Sequence, residues 1–287
     1  MKVLVLGASG LLGTTLVAAL GALGHTVVAH SRRGAGLEPG DLTQAAETLA
    51  LVARTAPDVV VNLAGLTDVD RCEAQPQQAW LANVLTAENV AAACGAAGAH
   101  LVHISTDQVY DGAPPRGETQ ACPGNCYALT KYAGELAALR VGATVLRTNF
   151  FGASCHPTRR SLTDWLYTSL TQGQAIRVFD DVFFSPLSMA TLCTMIERVA
   201  RERPAGVYNL GSREGLSKAD FAFAFARGLG LPAELMTRAS VRQAVLKAWR
   251  PADMRMDCAK IENTLGVALP RLEDEIELAT KDYRADV

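Results

Sequence analysis

At 287 residues the chain exceeds one average domain and falls short of two, so a single large core or one domain with an annex is expected. Its 27 basic and 29 acidic side chains leave a net charge of −2, which argues against a nucleic-acid surface. The 49% hydrophobic content argues against a disordered or fibrous chain. Seven cysteines (Cys72, Cys94, Cys122, Cys126, Cys155, Cys193 and Cys258) include no Cys-x-x-Cys pair and read as reduced thiols of a cytoplasmic protein. The five histidines never fall at i and i+4 on an expected helix, so no metal site is expected.

Residues 3–31 carry no Asp, Glu, Lys or Arg, but glycines and hydroxyl residues punctuate the stretch. Its apolar rhythm also changes part way, which marks strand, turn and helix rather than a membrane span. Lys2–Leu6 is a short apolar strand suited to a parallel sheet buried on both faces. Gly7, Gly10 and Gly13 make the following turn. Leu12, Leu16, Ala19, Leu20 and Leu23 then form one stripe of a helix that stops near Gly24. Alternation continues through strand 26–31, helix 44–54, strand 58–62, helix 78–97, strand 100–105, helix 125–140 and strand 143–147. Strands separated by helices of this length pair in parallel through right-handed crossovers. The fold class is therefore α/β: a doubly wound, Rossmann-like parallel sheet over residues 1–148.

Beyond Gly152 the rhythm loosens. Helices at 162–171, 189–201 and 217–229 and a strand at 207–210 suggest a smaller α/β lobe over 149–287, mainly substrate-binding, with a ligand cleft between the two.

The turn Gly7-Ala8-Ser9-Gly10-Leu11-Leu12-Gly13 has GxxGxxG spacing between a buried strand and an amphipathic helix. There, missing side chains let backbone approach a pyrophosphate, and the helix N-terminus adds partial positive charge. The second strand ends His30-Ser31-Arg32-Arg33, with two arginines where NAD-selective sites carry an acid. Arg32 and Arg33 suit a 2′-phosphate and make NADPH the expected cofactor, NADH the alternative. Asp41 and Leu42 are placed to meet the adenine edge. Ala64, Gly65 and Leu66 follow a further strand as a small-residue turn beside the cofactor.

Strand 100–105 ends Ser105-Thr106-Asp107, and Tyr127-Ala128-Leu129-Thr130-Lys131 follows. Tyr127 and Lys131, at i and i+4, share a helix face. Reduction of a carbonyl puts negative charge on its oxygen and needs a proton donor within hydrogen-bond reach. Tyr127 is the expected general acid, and Lys131 is expected to lower the phenol's pKa and hold the cofactor ribose. Thr106 is expected to orient the carbonyl. Ser105, Tyr127 and Lys131 also belong to the expected cofactor contacts.

These residues resemble the extended short-chain dehydrogenase/reductases, and among them the dTDP-4-dehydrorhamnose reductase family. The likeness spans 7–13, 62–73, Asn83, 105–112, 123–135, Arg147-Thr148-Asn149-Phe150, Arg250-Pro251, Lys260 and Leu265-Gly266. It implies NAD(P)H-dependent reduction of the 4-keto group of a nucleotide-linked 6-deoxyhexose by Thr106, Tyr127 and Lys131. Asp107, Gln108, Asn149 and Phe150 would then line the sugar with Thr106. Gln108 stands where that family has an aromatic residue, Phe150 where it has tryptophan, and Asp180-Asp181-Val182-Phe183-Phe184-Ser185-Pro186 replaces its substrate loop. Two other readings stay open. A 4-epimerase of the superfamily needs the same triad, and the stretch 68–73 also resembles the noncatalytic β subunit of methionine adenosyltransferase. The partner expected is a small-molecule nucleotide sugar, with neither nucleic acid nor membrane, and the chain a monomer or homodimer.

Overall fold

A computed structural model describes residues 1–34, 36–111, 116–156 and 158–284. Strands β1 (Lys2–Leu6), β2 (Thr26–Ser31), β3 (Glu38–Pro39), β4 (Val59–Asn62), β5 (His100–Ile104) and β6 (Thr144–Thr148) lie in one parallel sheet. Strand Gly206–Leu210 pairs in parallel with β6, giving seven strands in the order Gly206–Leu210, β6, β5, β4, β1, β2, β3.

The helices are α1 (Leu11–Ala22), α2 (Ala45–Thr55), α3 (Val69–Ala74), α4 (Pro76–Trp80), α5 (Thr86–Ala97), α6 (Cys126–Leu139), α7 (Leu162–Thr171), α8 (Met189–Glu202) and α9 (Lys218–Leu229). Two further helices, Ala259–Leu265 and Leu272–Arg284, follow.

Strand pleating decides how the sheet is covered. Val3 and Val5 of β1 point into one core with Leu12 and Leu16 of α1 and Ile196 of α8. Leu4 and Leu6 point the other way, onto Leu51 of α2 and Val90 of α5. Side chains alternate across a strand, so a strand apolar at every position must be covered on both faces. This is the doubly wound arrangement expected from the sequence. The C-terminal ends of β1, β4, β5 and β6 then open on one edge, where the first-strand glycine turn, Thr106 and Asn149 sit.

Residues beyond 148 add a second core, in which Phe151, Phe184, Phe221 and Phe225 are buried together. The Phe221 ring meets Phe151 edge-on at 4.8 Å and Phe184 at 5.3 Å. Residues beyond 148 also contribute to the first core. Helix α8 packs on α1, and strand Gly206–Leu210 extends the first sheet, so residues 189–210 serve the cofactor-side core.

Several local expectations are corrected. The single helix expected over 78–97 is α4, a π-helical turn at Leu81–Leu85 and α5. The expected stripe on α1 ends before Leu23, which is 58% exposed beyond the helix. Helix α3 and strand β3 were not foreseen; each is too short for periodicity to register.

Candidate active site

The turn after β1 is closed by the Gly10 amide donating to the Gly7 carbonyl at 2.9 Å and the Ala8 amide to the His30 carbonyl at 2.9 Å. Gly7 has φ +78°, and a Cβ there would stand 3.0 Å from the Ala64 backbone nitrogen. A Cβ on Gly13 would come within 2.5 Å of the Gly7 carbonyl, so only glycine lets α1 start this close beneath the turn.

Above the turn lies a cavity of about 640 Å³. Of the expected cofactor residues, Gly7, Ser9, Gly10, Arg32, Asp41, Leu42, Ala64, Gly65 and Leu66 line it. Leu12 and Gly13 are instead buried in the packing beneath it, and Leu11 packs against the core below. Arg33 is exposed and is not part of the lining, which leaves Arg32 as the arginine at the end of β2. Arg32 and Asp41 approach each other to 4.0 Å, and the Thr43 amide and hydroxyl both donate to Asp41, holding its carboxyl below the usual range.

Sequence reasoning missed Arg71, Gln78, Leu81, Ala82, Thr86 and Arg159, which also line the cavity, as do His30, Ser31, Gly40, Thr43 and Leu63 beside the expected residues. Arg71 is presented by α3, its guanidinium donating to the side-chain oxygens of Gln75 at 3.3 Å and Gln78 at 3.1 Å. Asp68, the N-cap of α3, accepts from the Arg71 amide at 2.9 Å. The Asp68–Arg71 spacing is the cap signal that could have located this helix. The π-helical turn holding Leu81 and Ala82 also carries Asn83, whose side chain accepts from the Leu66 amide at 2.7 Å and donates to Thr130 at 3.0 Å. It thereby locks the turn 64–66 to α6.

The residues expected to react stand at the next strand end. Helix α6 begins on Asn125, whose side-chain oxygen accepts from the Ala128 amide at 2.8 Å. Tyr127 and Lys131 lie on its inner face and are 7% and 5% exposed. The Tyr127 phenol meets the Thr106 hydroxyl. Thr106 also caps the short turn at Asp107–Val109, accepting from the Gln108 amide at 3.2 Å and donating to Asp107 at 3.2 Å. Asn149 donates to the other Asp107 oxygen at 2.7 Å, and Gln108 accepts weakly from Asn125 at 3.4 Å. Phe150 lies next along the chain in the short strand Phe150–Phe151, half-buried. The six residues Thr106, Asp107, Gln108, Tyr127, Asn149 and Phe150 thus gather at one edge of the sheet. Ser105 faces elsewhere: its hydroxyl donates to the buried carboxylate of Glu135 at 2.5 Å.

The electrostatics correct one expectation. Burial pushes the Tyr127 phenol well above its ordinary pKa, the hydrogen bond with Thr106 works against that, and the negative charge of Asp107 adds to it. The Lys131 ammonium donates to the Ile104 carbonyl at 2.6 Å. Burial brings Lys131 down to about 8, with Glu135 opposing the fall. Burial likewise lifts Asp107 to about 6, against its bond with Asn149 and the charge of Lys218. The phenol is therefore held neutral, a proton donor already in the form that reduction requires.

A strap from the second half closes the near side. Asp70 of α3 accepts from the amides of Lys247 at 3.1 Å and Ala248 at 2.9 Å and pairs with Arg250 at 3.1 Å. The Trp249 indole donates to Asp111 at 2.8 Å, and its carbonyl accepts from Asn125 at 3.0 Å.

A family model described as the RmlD substrate binding domain matches residues 1–285. A probable low-salt glycan biosynthesis reductase, Agl14, of Haloferax volcanii is 29% identical, with 99% of each chain covered. The dTDP-4-dehydrorhamnose reductase of Escherichia coli K12 is 30% identical, with 94% of each chain covered. The crystal structure of dTDP-4-dehydrorhamnose reductase from Bacillus anthracis in complex with NADP shares the fold. Its TM-score is 0.89 at 24% identity, over 98% of this chain and 99% of that one. Matched over nearly its whole length, this chain belongs to the RmlD substrate binding domain family.

Proposed function

We propose that the protein is an NADPH-dependent reductase of the 4-keto group of a nucleotide-linked 6-deoxyhexose. One observation carries this reading: a buried, neutral Tyr127 phenol and the Thr106 hydroxyl converge beside a cleft floored by the glycine turn. The relatives named as reductases, one of them crystallised with NADP, support it.

The cleft fits a dinucleotide. Its volume lies within the range of about 300–1,000 Å³ usual for cofactor sites. The Gly7 position, which a Cβ would fill, leaves bare backbone where a pyrophosphate would rest at the start of α1. The nicotinamide cofactor supplies a hydride when bound. Tyr127 delivers the proton to the carbonyl oxygen, and Thr106 donates to the same oxygen as charge develops there. Asp107, held by Asn149, is the acceptor for a sugar hydroxyl, with the Lys218 ammonium near enough for its charge to act on the carboxyl. Seven free thiols accord with action in the cytoplasm.

Two measurements test the reading. Oxidation of NADPH, followed by absorbance over a panel of nucleotide-linked keto sugars, should give turnover with a 4-keto-6-deoxyhexose and none without a keto group. Turnover should decline as pH falls through about 6, where Asp107 takes up a proton and stops accepting. An enzyme that holds its nicotinamide throughout and turns over without added NADPH would instead be an epimerase.

Cofactor affinity separates the arginines. Arg32→Ala should weaken NADPH and leave NADH nearly unchanged. Arg159→Gln should weaken both about equally, by roughly tenfold for one charge-assisted phosphate contact, because both dinucleotides carry the pyrophosphate. Titrating the fluorescence of the bound reduced cofactor reads both effects.

A further inference from the structure

Helix α6 carries a third buried polar residue one turn beyond Lys131, in register with Tyr127 and Lys131 at i, i+4 and i+8. Glu135 is 0% exposed. Its carboxylate accepts from the Ser105 hydroxyl at 2.5 Å and from Arg147 through Nε at 3.0 Å and Nη2 at 2.6 Å. Arg147 is 2% exposed and continues the network, donating to the Tyr110 hydroxyl at 2.6 Å. Tyr110 donates to Asn209 at 2.7 Å, and Asn209 donates to the carbonyls of Arg116 and Asp257, each at 2.9 Å.

None of the hydrogen bonds of this network reaches Thr106, Tyr127 or Lys131, yet one of them, together with a bond made by Lys131, braces the strand end that leads to Thr106. Lys131 ties α6 to the Ile104 carbonyl at the end of β5. Glu135 ties the same helix to Ser105, the next residue along. Thr106 follows directly, so its distance to the phenol is fixed by two cross-ties from one helix face. Both are buried, where a hydrogen bond is stronger and a missing partner dearer than at a surface. A carboxylate one helical turn from an ammonium in this low-dielectric interior also favours the charged form of the amine.

We propose that Glu135 is a positioning residue of the reaction, which fixes the strand end bearing Thr106 against the helix face bearing Tyr127 and keeps Lys131 an ammonium. This rests on the reductase reading for what is positioned, and not for the charge of Lys131. The charged and titratable groups that bear on Lys131 are Glu135 on its own helix, itself paired with the buried Arg147 of β6, and His103 on β5. His103 is buried and held well below its ordinary pKa, so it is neutral and adds no opposing charge.

The test reads Lys131 itself, without substrate. In protein labelled at the lysine ε-carbon, the Lys131 signal, assigned by its loss in Lys131→Met, should titrate near 8 in the parent chain. In Glu135→Gln it should titrate at least a unit lower, and in Glu135→Asp it should return most of the way. An unmoved Lys131 titration in folded Glu135→Gln overturns the electrostatic half.

Ser105→Ala covers the case in which Glu135→Gln fails to fold, since it keeps the Glu135–Arg147 pair. With the substrate found by the panel, its kcat should fall about tenfold with the KM for NADPH and the Lys131 titration unchanged. An unaltered kcat overturns the cross-tie. Should no keto sugar turn over, the reductase reading fails while the Lys131 titration still decides the charge role of Glu135.

Discussion

Tyr127→Phe is expected to reduce kcat by roughly 10²–10⁴-fold, the range for removing a positioned acid, while NADPH binding stays within a factor of two or so. The two effects separate because they use different ends of the site. The glycine turn, the turn 64–66 and Arg32, proposed to hold the dinucleotide, line the cavity, whereas Tyr127 is not among its lining residues. The lost hydroxyl also leaves no large hole: phenylalanine keeps the ring packed against Cys72 and Ala79. Stopped-flow measurement of NADPH oxidation against equilibrium titration of cofactor fluorescence decides the matter. Unchanged turnover would remove Tyr127 from the mechanism. A loss of binding equal to the loss of turnover would mean that the ring holds cofactor rather than donating a proton.

The same structure bears on when the phenol can work. Because burial raises its pKa, Tyr127 stays protonated through the neutral range, and reduction needs no prior uptake of a proton. The reverse oxidation would need the phenolate, which the site disfavours. The geometry is thus biased toward reduction.

What the sequence disclosed follows a physical division. The sheet was legible because apolar runs such as Val3 to Leu6 and Val59 to Val61 are buried on both faces, and no other packing accepts them. The glycine turn and the Tyr127–Lys131 pair were legible because their chemistry is local: positive φ at one position, one helical turn at the other. Arg71 and Arg159 were illegible because each reaches the cleft from an element whose position depends on tertiary packing. The direction of the Tyr127 shift failed for a similar reason: spacing shows that an ammonium lies one turn away, but not how completely the fold buries the phenol. Ser105 was assigned to the cofactor from its neighbours in sequence, whereas the pleat turns its hydroxyl to the opposite side from the cleft-lining residues, onto Glu135.

Arg147→Met should destabilise the fold far more than Tyr127→Phe or Ser105→Ala, by about 3–5 kcal/mol, because it strands a buried carboxylate. In the parent chain Glu135 has two donors from Arg147 and one from Ser105. Methionine fills much of the arginine volume and supplies none, so only Ser105 remains. Burial without the guanidinium disfavours the charged form of such a carboxyl. A carboxyl whose folded pKa is raised costs nothing at pH values below its unfolded pKa. The cost grows as pH rises through the interval between the two values. The deficit should therefore be small in acid and full at neutral pH, where the stranded carboxyl would carry its charge. Adding Glu135→Leu removes the stranded charge and should recover much of the loss, short of the contribution of Arg147 to Tyr110 and to the Glu118 carbonyl. Urea unfolding of the single and double variants at acid and neutral pH measures each quantity. A single variant equally destabilised at both pH values would show that the packing of the Arg147 side chain, rather than its charge, holds this end of the sheet.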